Sequence, residues 1–233
     1  MPIKLLYQDI YIICSICFGP KMNALVIFAK FPEPGRVKKK IGEVIGMDSS
    51  AGLCSAFIND LISKNKDKDY DLYLSFIGHQ YKEKYKNLFP EAILYVQRGM
   101  NLGENMYCSF EDLLDDYDKV VIIGCDVPNL GSDIIVKAFN ALDSYDVVIG
   151  PAEDGGYYLI GMKQPHEIFE GLPWGSDKLL DAQIELLKEK KLTYVLLERM
   201  SDVDTIDELK VLKKNLKKDD APKTYEFIKS IGV

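Results

Sequence analysis

The sequence predicts an α/β fold: a single three-layer α/β/α domain around a mixed, mainly parallel sheet. Two observations carry that expectation. Short runs rich in Val, Ile and Tyr alternate with longer segments whose apolar residues recur at three-and-four spacing, the pattern of strands alternating with helices. The run VVIIG at 120–124 is apolar without alternation, which marks a strand covered on both faces, as parallel sheets are. With 233 residues, 47% hydrophobic and 28% charged, the chain is long enough for one large domain and too ordinary for disorder, collagen or coiled coil.

The elements follow in order. Residues 24–29 (ALVIFA), 72–76, 93–97, 120–124, 147–150 and 157–161 read as strands. Between and after them, residues 51–64, 81–88, 103–114, 134–142, 178–190 and 206–217 carry helical periodicity, with Asp177 and Thr205 as N-caps of the last two. The lysine-rich stretch 213–223 reads as a solvated face. Residues 1–21 stand apart as an N-terminal extension, ahead of a single domain at 22–233. Residues 10–18 are apolar apart from Ser15, but a membrane span needs about 20 such residues. Asp9 and the absence of a small-residue cleavage site argue against a signal peptide. Met22 directly precedes the first strand, so the extension reads as a mis-called start, an extra edge element or a peripheral anchor.

Charge and cysteine usage narrow the function. Twenty-nine Lys and Arg against 36 Asp and Glu leave a net −7, which disfavours gripping a nucleic acid backbone by bulk charge. His79 and His166 are the only histidines, too few for a His-rich metal centre. Cys14, Cys17, Cys54, Cys108 and Cys125 are an odd, dispersed set, expected as reduced thiols of a cytoplasmic protein. Cys14 and Cys17 form one CxxC without a second ligand pair. Two buried thiols is one reading of it and metal or redox chemistry the other.

Open parallel sheets bind ligands beyond the C-terminal ends of their strands, so the segment after each strand is where chemistry is expected. After the first strand comes Lys30-Phe-Pro-Glu-Pro-Gly35-Arg36-Val-Lys38-Lys39-Lys40. A stiffened turn flanked by cations supplies the backbone dipoles and charge that a di- or triphosphate needs; a solvated basic loop is the plainer alternative. The spacing is neither that of a Walker loop nor of GxGxxG. Beyond VVIIG lies GCDVPNL, with Asp126 at the strand tip, placed to hold Mg²⁺ or Mn²⁺ or to cap a turn. In GPAEDGGYYLIG, Asp154-Gly155-Gly156 can admit a ligand close to the backbone or form a hairpin turn. In SDVDTIDEL, Thr205 and Glu208 make a capping box. Asp202 and Asp204 stand just ahead of it, where a second carboxylate could join Asp126.

Taken in order, AKFPEPGRVKKK, QRGMNLGENM (97–106), GCDVPNL, GPAEDGGYYLIG, PWGSD (173–177) and SDVDTIDEL resemble the GT-A-fold proteins of the DUF2064 type, often labelled glycosyltransferase A or nucleotide-diphospho-sugar transferase-like. The resemblance spans about residues 23 to 215. More distantly the chain is similar to molybdenum-cofactor, phospholactate and sugar-acid nucleotidyltransferases. It implies a nucleotide-binding half on the first strands and an acceptor half after GCDVP. Lys30, Gly35, Arg36, Lys38, Gly103 and Glu104 would bind the nucleotide, with Lys38 and Asp126 in the chemistry. Asp126 and Asp204 would hold Mg²⁺ or Mn²⁺, and Asp154, Gly155 and Gly156 would face the acceptor. Lys39 and Lys40 stand where the family usually has Thr-Arg, and Asn105 where it usually has Arg. Lys keeps the charge but loses the bidentate fork.

The expected activity is metal-dependent transfer from a nucleoside triphosphate or nucleotide-sugar to a small-molecule acceptor, without a covalent intermediate and with neither nucleic acid nor membrane as partner. The moved group is nucleotidyl or glycosyl. The alternative is a non-catalytic nucleotide-binding or regulatory protein on the same fold, which would not need Asp126 and Asp204 to converge.

Overall fold

The computed structural model describes residues 23–232. The CxxC and the 1–21 extension lie outside them. β1 (Asn23–Phe28) opens the sheet with four buried residues in its middle. The chain then runs through α1 (Lys39–Ile45), α2 (Met47–Asn65), β2 (Tyr70–Phe76), a short 3₁₀ turn at His79–Tyr81 and α3 (Lys82–Leu88). Next come β3 (Ile93–Val96), α4 (Leu102–Leu113), β4 (Lys119–Gly124), α5 (Ser132–Ala141), β5 (Val147–Pro151) and β6 (Tyr157–Met162). The last elements are α6 (Leu179–Glu189), β7 (Tyr194–Leu196), α7 (Ile206–Asn215) and α8 (Pro222–Ile231).

The strands form one seven-stranded sheet in the order β3-β2-β1-β4-β6-β5-β7. β6 pairs antiparallel with both β4 and β5, and the remaining pairings are parallel. This is the mixed, mainly parallel sheet expected from the sequence. Its two faces follow from the two-residue period of a strand. Leu25, Ile27, Val121 and Ile123 pack with Cys54, Ile58 and Leu61 of α2 and Ile135 and Ala138 of α5. Ala24, Val26, Val120 and Ile122 pack on the other side with Phe110 of α4 and Leu180 and Leu187 of α6. A third cluster, including Ile41, Leu53, Phe57, Val203, Leu209 and Ile228, fastens α1, α7 and α8 onto the outside of α2.

β1 pairs with β2 on one side and β4 on the other. The chain therefore leaves β1 toward one edge and returns on its other flank to build β4. The crevice between the C-terminal ends of β1 and β4 is the switch point of the sheet, where ligands of open α/β folds sit.

Some elements differ from the expectation. α1 occupies part of what reads as a basic loop; it has only seven residues and its N-cap, Lys38, offers no side-chain cap. α8 begins at Pro222, inside the end of the lysine-rich stretch, with that Pro at its start. β7 is a three-residue edge strand, only partly buried, too short to show a period. The N-cap of α6 is Lys178 and makes no side-chain capping bond, so Asp177 does not cap it. Thr205 caps α7 with the full reciprocal box to Glu208. The Asp154-Gly155-Gly156 segment is the turn between the antiparallel β5 and β6, as the hairpin reading expected. Among the described residues no helix is long and apolar enough to cross a membrane.

Candidate nucleotide and cation site

A cavity of about 510 Å³ opens at the switch point, within the range of small-molecule sites. The ends of β1 and β4 form its floor. Lys30, Arg36, Lys38, Asp126 and Asp204 all line it, although the last is separated from the first by most of the chain.

The backbone brings the two carboxylate loops together. The Val203 N–H donates to the Asp126 carbonyl at 2.9 Å, and the Val203 side chain is buried with Phe57 and Leu209. The capping box of α7 continues the anchor, because Glu208 Oε2 accepts from the N–H groups of Asp204 and Thr205 at 2.7 Å each. Asp126 follows β4, and Asp204 follows Val203 directly.

Lys38 stands between them. Its Nζ lies 2.6 Å from Asp126 Oδ1 and 2.7 Å from Asp204 Oδ1, so the two oxygens are within about 5.3 Å of each other. It also donates to the Val203 carbonyl at 2.6 Å. The Lys38 side chain is 4% exposed, while the carboxylates are 40% and 52% exposed. Burial alone would push the ammonium toward neutrality. Asp126, and after it Asp204, more than offset that and hold the Lys38 pKa above its ordinary value. The backbone of Lys38 is left-handed (φ 46°), a strained conformation for a side-chain-bearing residue, at the junction between the basic turn and α1.

Asp126 and Asp204 therefore do come together, and both are paired with Lys38. Lys38 is likewise not a free phosphate ligand in this state, since its three N–H donors face three protein oxygens. Two carboxylates and a backbone carbonyl converging on one cationic position fit the hard-oxygen preference of Mg²⁺ or Mn²⁺. Among the described residues, no three His, Cys, Asp or Glu side chains gather as a metal cluster, so the two carboxylates are the side-chain ligands this position offers, a number that suffices for Mg²⁺ when phosphates and water complete the shell.

Arg36 sits at the rim, 65% exposed. Its guanidinium pairs with Glu33 at 3.1 Å and contacts the Tyr81 hydroxyl, and that hydroxyl donates to Glu33 at 2.9 Å. These bonds, Tyr81 first and Arg36 second, hold the Glu33 carboxyl below its usual range. Phe31 stacks on Tyr81 with centroids 4.8 Å apart, and the Tyr85 hydroxyl donates to the Ala29 carbonyl at 3.0 Å. The basic turn is thus braced by Tyr81 and Tyr85, which the sequence pattern places in the separate helical segment 81–88 beyond the second strand. Gly35, with φ +73°, supplies the turn rather than a wall of the cavity. Lys39 and Lys40 point outward from the first turn of α1.

Of the remaining residues, Asn105 lines the cavity and the others support it from behind. Asn105 is 2% exposed and its Oδ1 accepts from the Gly99 N–H at 2.8 Å. Glu104 accepts from the Met100 N–H at 2.8 Å. A Cβ on Gly103 would come within 2.9 Å of the Phe169 carbonyl. Asn105 and Glu104 hold the loop at 97–101, whose Gln97, Met100 and Asn101 reach the cavity together with Leu102. Asp154 Oδ1 accepts from the Gly156 N–H at 2.8 Å. Gly155 has φ +90° and presses so closely on the Asp177 carbonyl that a Cβ would lie 2.1 Å from it. Gly103, Glu104 and Asp154-Gly155-Gly156 are thus packing and turn residues that do not line the cavity. Asp154 is nonetheless close enough to Asp202 to act on it: burial first, and Asp154 next, push the Asp202 carboxyl up to about 6.

Lys64 of α2 was not anticipated. Its Nζ donates to the carbonyls of Pro128 and Leu130 at 2.6 and 3.1 Å, tying the loop that carries Asp126. A lysine inside an amphipathic helix has no signal in sequence that distinguishes this from a solvated one.

The family model for "Uncharacterized protein conserved in bacteria (DUF2064)" matches residues 44–176. No curated protein matches the chain. A solved structure from Desulfovibrio desulfuricans G20, described as a "putative nucleotide-diphospho-sugar transferase", is 35% identical, with 89% of this chain and 94% of that one covered at a TM-score of 0.83. The inositol-1-phosphate CTP transferase of T. maritima is 11% identical over 91% of this chain and 98% of its own, with a TM-score of 0.53. A Mycobacterium tuberculosis H37Rv protein crystallised with manganese is 12% identical over 84% and 100%, with a TM-score of 0.50. At those identities the last two share the fold. The ordered motifs and the match over most of both chains lead to one assignment: this chain belongs to the DUF2064 family and has the nucleotide-diphospho-sugar transferase-like fold.

Proposed function

We propose that the protein is a divalent-metal-dependent transferase that takes a nucleotide donor, a nucleoside triphosphate or a nucleotide-sugar, and passes a nucleotidyl or glycosyl group to a small-molecule acceptor. The observation that carries this reading is the meeting of Asp126, Asp204 and Lys38 at the switch-point cavity. A protein that only bound a nucleotide for regulation would have no need to hold two carboxylates and an ammonium together there. The D. desulfuricans relative, the CTP-using neighbour of the same fold and the manganese-bound one support the donor and metal classes.

The chain's residues divide the work. Lys30 and Arg36 at the rim meet the donor's phosphates, Arg36 through a fork that Glu33 and Tyr81 pre-orient. Asp126, Asp204 and the Val203 carbonyl would hold the metal, and in its absence Lys38 balances the carboxylates' charge. When bound, Mg²⁺ or Mn²⁺ neutralises charge on the departing pyrophosphate or nucleoside diphosphate. By family resemblance the Asp154-Gly155-Gly156 turn would face the acceptor, from outside the cavity wall.

The test is a thermal-shift series of nucleoside triphosphates and nucleotide-sugars with and without Mn²⁺. A ligand of the native state at 100 times its Kd stabilises by about 2.7 kcal/mol. One class of nucleotide is expected to raise Tm with Mn²⁺ present, and Asp126→Asn to keep its own fold while losing that metal-dependent rise. If no nucleotide moves Tm in either condition, the reading fails.

A further inference from the structure

The position between Asp126 and Asp204 holds a cation that belongs to the chain. Lys38 Nζ faces Asp126 Oδ1, Asp204 Oδ1 and the Val203 carbonyl at 2.6, 2.7 and 2.6 Å. These are the same oxygens a divalent ion would take, at about 2.0–2.1 Å each for Mg²⁺. Both cations cannot share them, because the spheres overlap and the charges repel.

We propose that Lys38 is a built-in, displaceable cation: a divalent ion enters only as the ammonium leaves, and the released ammonium turns to the phosphates of the donor. This rests on the reading of the site as a metal and nucleotide site, and adds how the two ligands are coupled. The anchor of Lys38 is fixed. Val37 before it is buried, and α1 begins immediately after it, so release is a rotation of the side chain and not a shift of the backbone. The destination is at hand, since Lys38 lines the same cavity as Lys30 and Arg36. The approach is open as well: the carboxylates are far more exposed than the ammonium between them, so an ion can reach them from the cavity side.

The consequence is positive coupling. Without donor phosphates, metal entry strands a largely buried ammonium without its counter-charges, which is costly. With them, the ammonium exchanges one set of anions for another. Metal alone is therefore bound weakly, and metal with donor tightly, as linkage requires of each toward the other.

Mn²⁺ alone serves as the probe, its binding to the full chain followed by electron paramagnetic resonance. Lys38→Met, which keeps the length and removes the charge, is expected to bind Mn²⁺ at least tenfold more tightly than the wild type. Lys38→Gln, which can still donate to the Val203 carbonyl, is the second variant should the first fail to fold. Adding Asp126→Asn to either is expected to erase the gain. In the wild type, saturating Mn²⁺ is expected to raise acylation of Lys38 by an amine-reactive reagent several-fold, read by peptide mass spectrometry. A cation that merely repelled the metal from nearby would alter affinity without unmasking Lys38. Equal Mn²⁺ affinity in wild type and variants, a gain that survives Asp126→Asn, or labelling of Lys38 indifferent to Mn²⁺ would each overturn the proposal. A failed nucleotide series with a successful Mn²⁺ series would remove the donor and leave the displaceable lysine standing.

Discussion

Arg36 and Lys38 are two residues apart, yet they have opposite fates. Arg36 is exposed at the rim, fastened to Glu33 and the Tyr81 hydroxyl; Lys38 is covered and balanced by two carboxylates. An exposed ion pair contributes little to folding, so Arg36→Ala should leave Tm unchanged. It should cost nucleotide affinity roughly 1–3 kcal/mol, the scale of a lost charge-assisted hydrogen bond. Isothermal titration with whichever nucleotide moves Tm checks this, and an untouched affinity would reduce the rim to solvated surface. The cation run is legible in sequence as a cluster, but which cation faces phosphate and which faces carboxylate is not. Residues 36 and 38 look alike until Asp204, 166 residues further on, is brought beside one of them.

Among the elements, α8 shows how a helix end is satisfied from a distance. Asp60 of α2, fully buried, accepts from the Lys223 and Thr224 N–H groups at 2.9 and 2.7 Å, meeting donors that the first turn of a helix leaves open. Asp60→Ala should destabilise by about 2 kcal/mol, the upper range for a lost cap with buried donors stranded; urea unfolding reads it, and a loss under about 0.5 kcal/mol would show water taking over. In that same first turn, Thr224 Oγ1 is buried without a hydrogen-bond partner. Thr224→Val keeps the shape and drops that hydroxyl, so it should be neutral or stabilising by up to about 1 kcal/mol. A clear loss of stability in the same titration would mean the hydroxyl has a partner after all. The capping box of α7 was legible because Thr205 and Glu208 are three residues apart. The cap of α8 was not, because its acceptor comes from another helix.

At the scale of the whole molecule, Lys64 couples the packing of α2 to the loop bearing Asp126. Burial pushes its pKa down to about 8, with Asp60 and Asp220 opposing. A lysine lowered in the folded state binds fewer protons there than in the unfolded chain between about pH 8 and its ordinary value near 10.4, so folding stability from this group rises with pH across that window. The stability of wild type relative to Lys64→Met should therefore grow by roughly 1–3 kcal/mol from pH 8 to 10.5. Parallel stability–pH curves would show that Lys64 titrates normally.

The sequence by itself determined the alternation of strands and helices, the burial of VVIIG on both faces, the hairpin at Asp154-Gly155-Gly156 and the capping box of α7. Each rests on residues within a turn or a strand of one another, where periodicity and side-chain to backbone bonding act. It also marked Asp126 as a candidate, at the tip of a strand, and Asp204 ahead of the α7 capping box, where the family resemblance put a second metal-binding carboxylate. The tertiary structure alone decided that Lys38 lies between them, that Tyr81 braces Arg36, and that Glu104 and Gly155 pack instead of lining the cavity. Those outcomes depend on β4 lying beside β1 and on Val203 bonding to Asp126. Strand order and loop docking are set by the burial of whole faces, to which no single stretch of sequence is a guide.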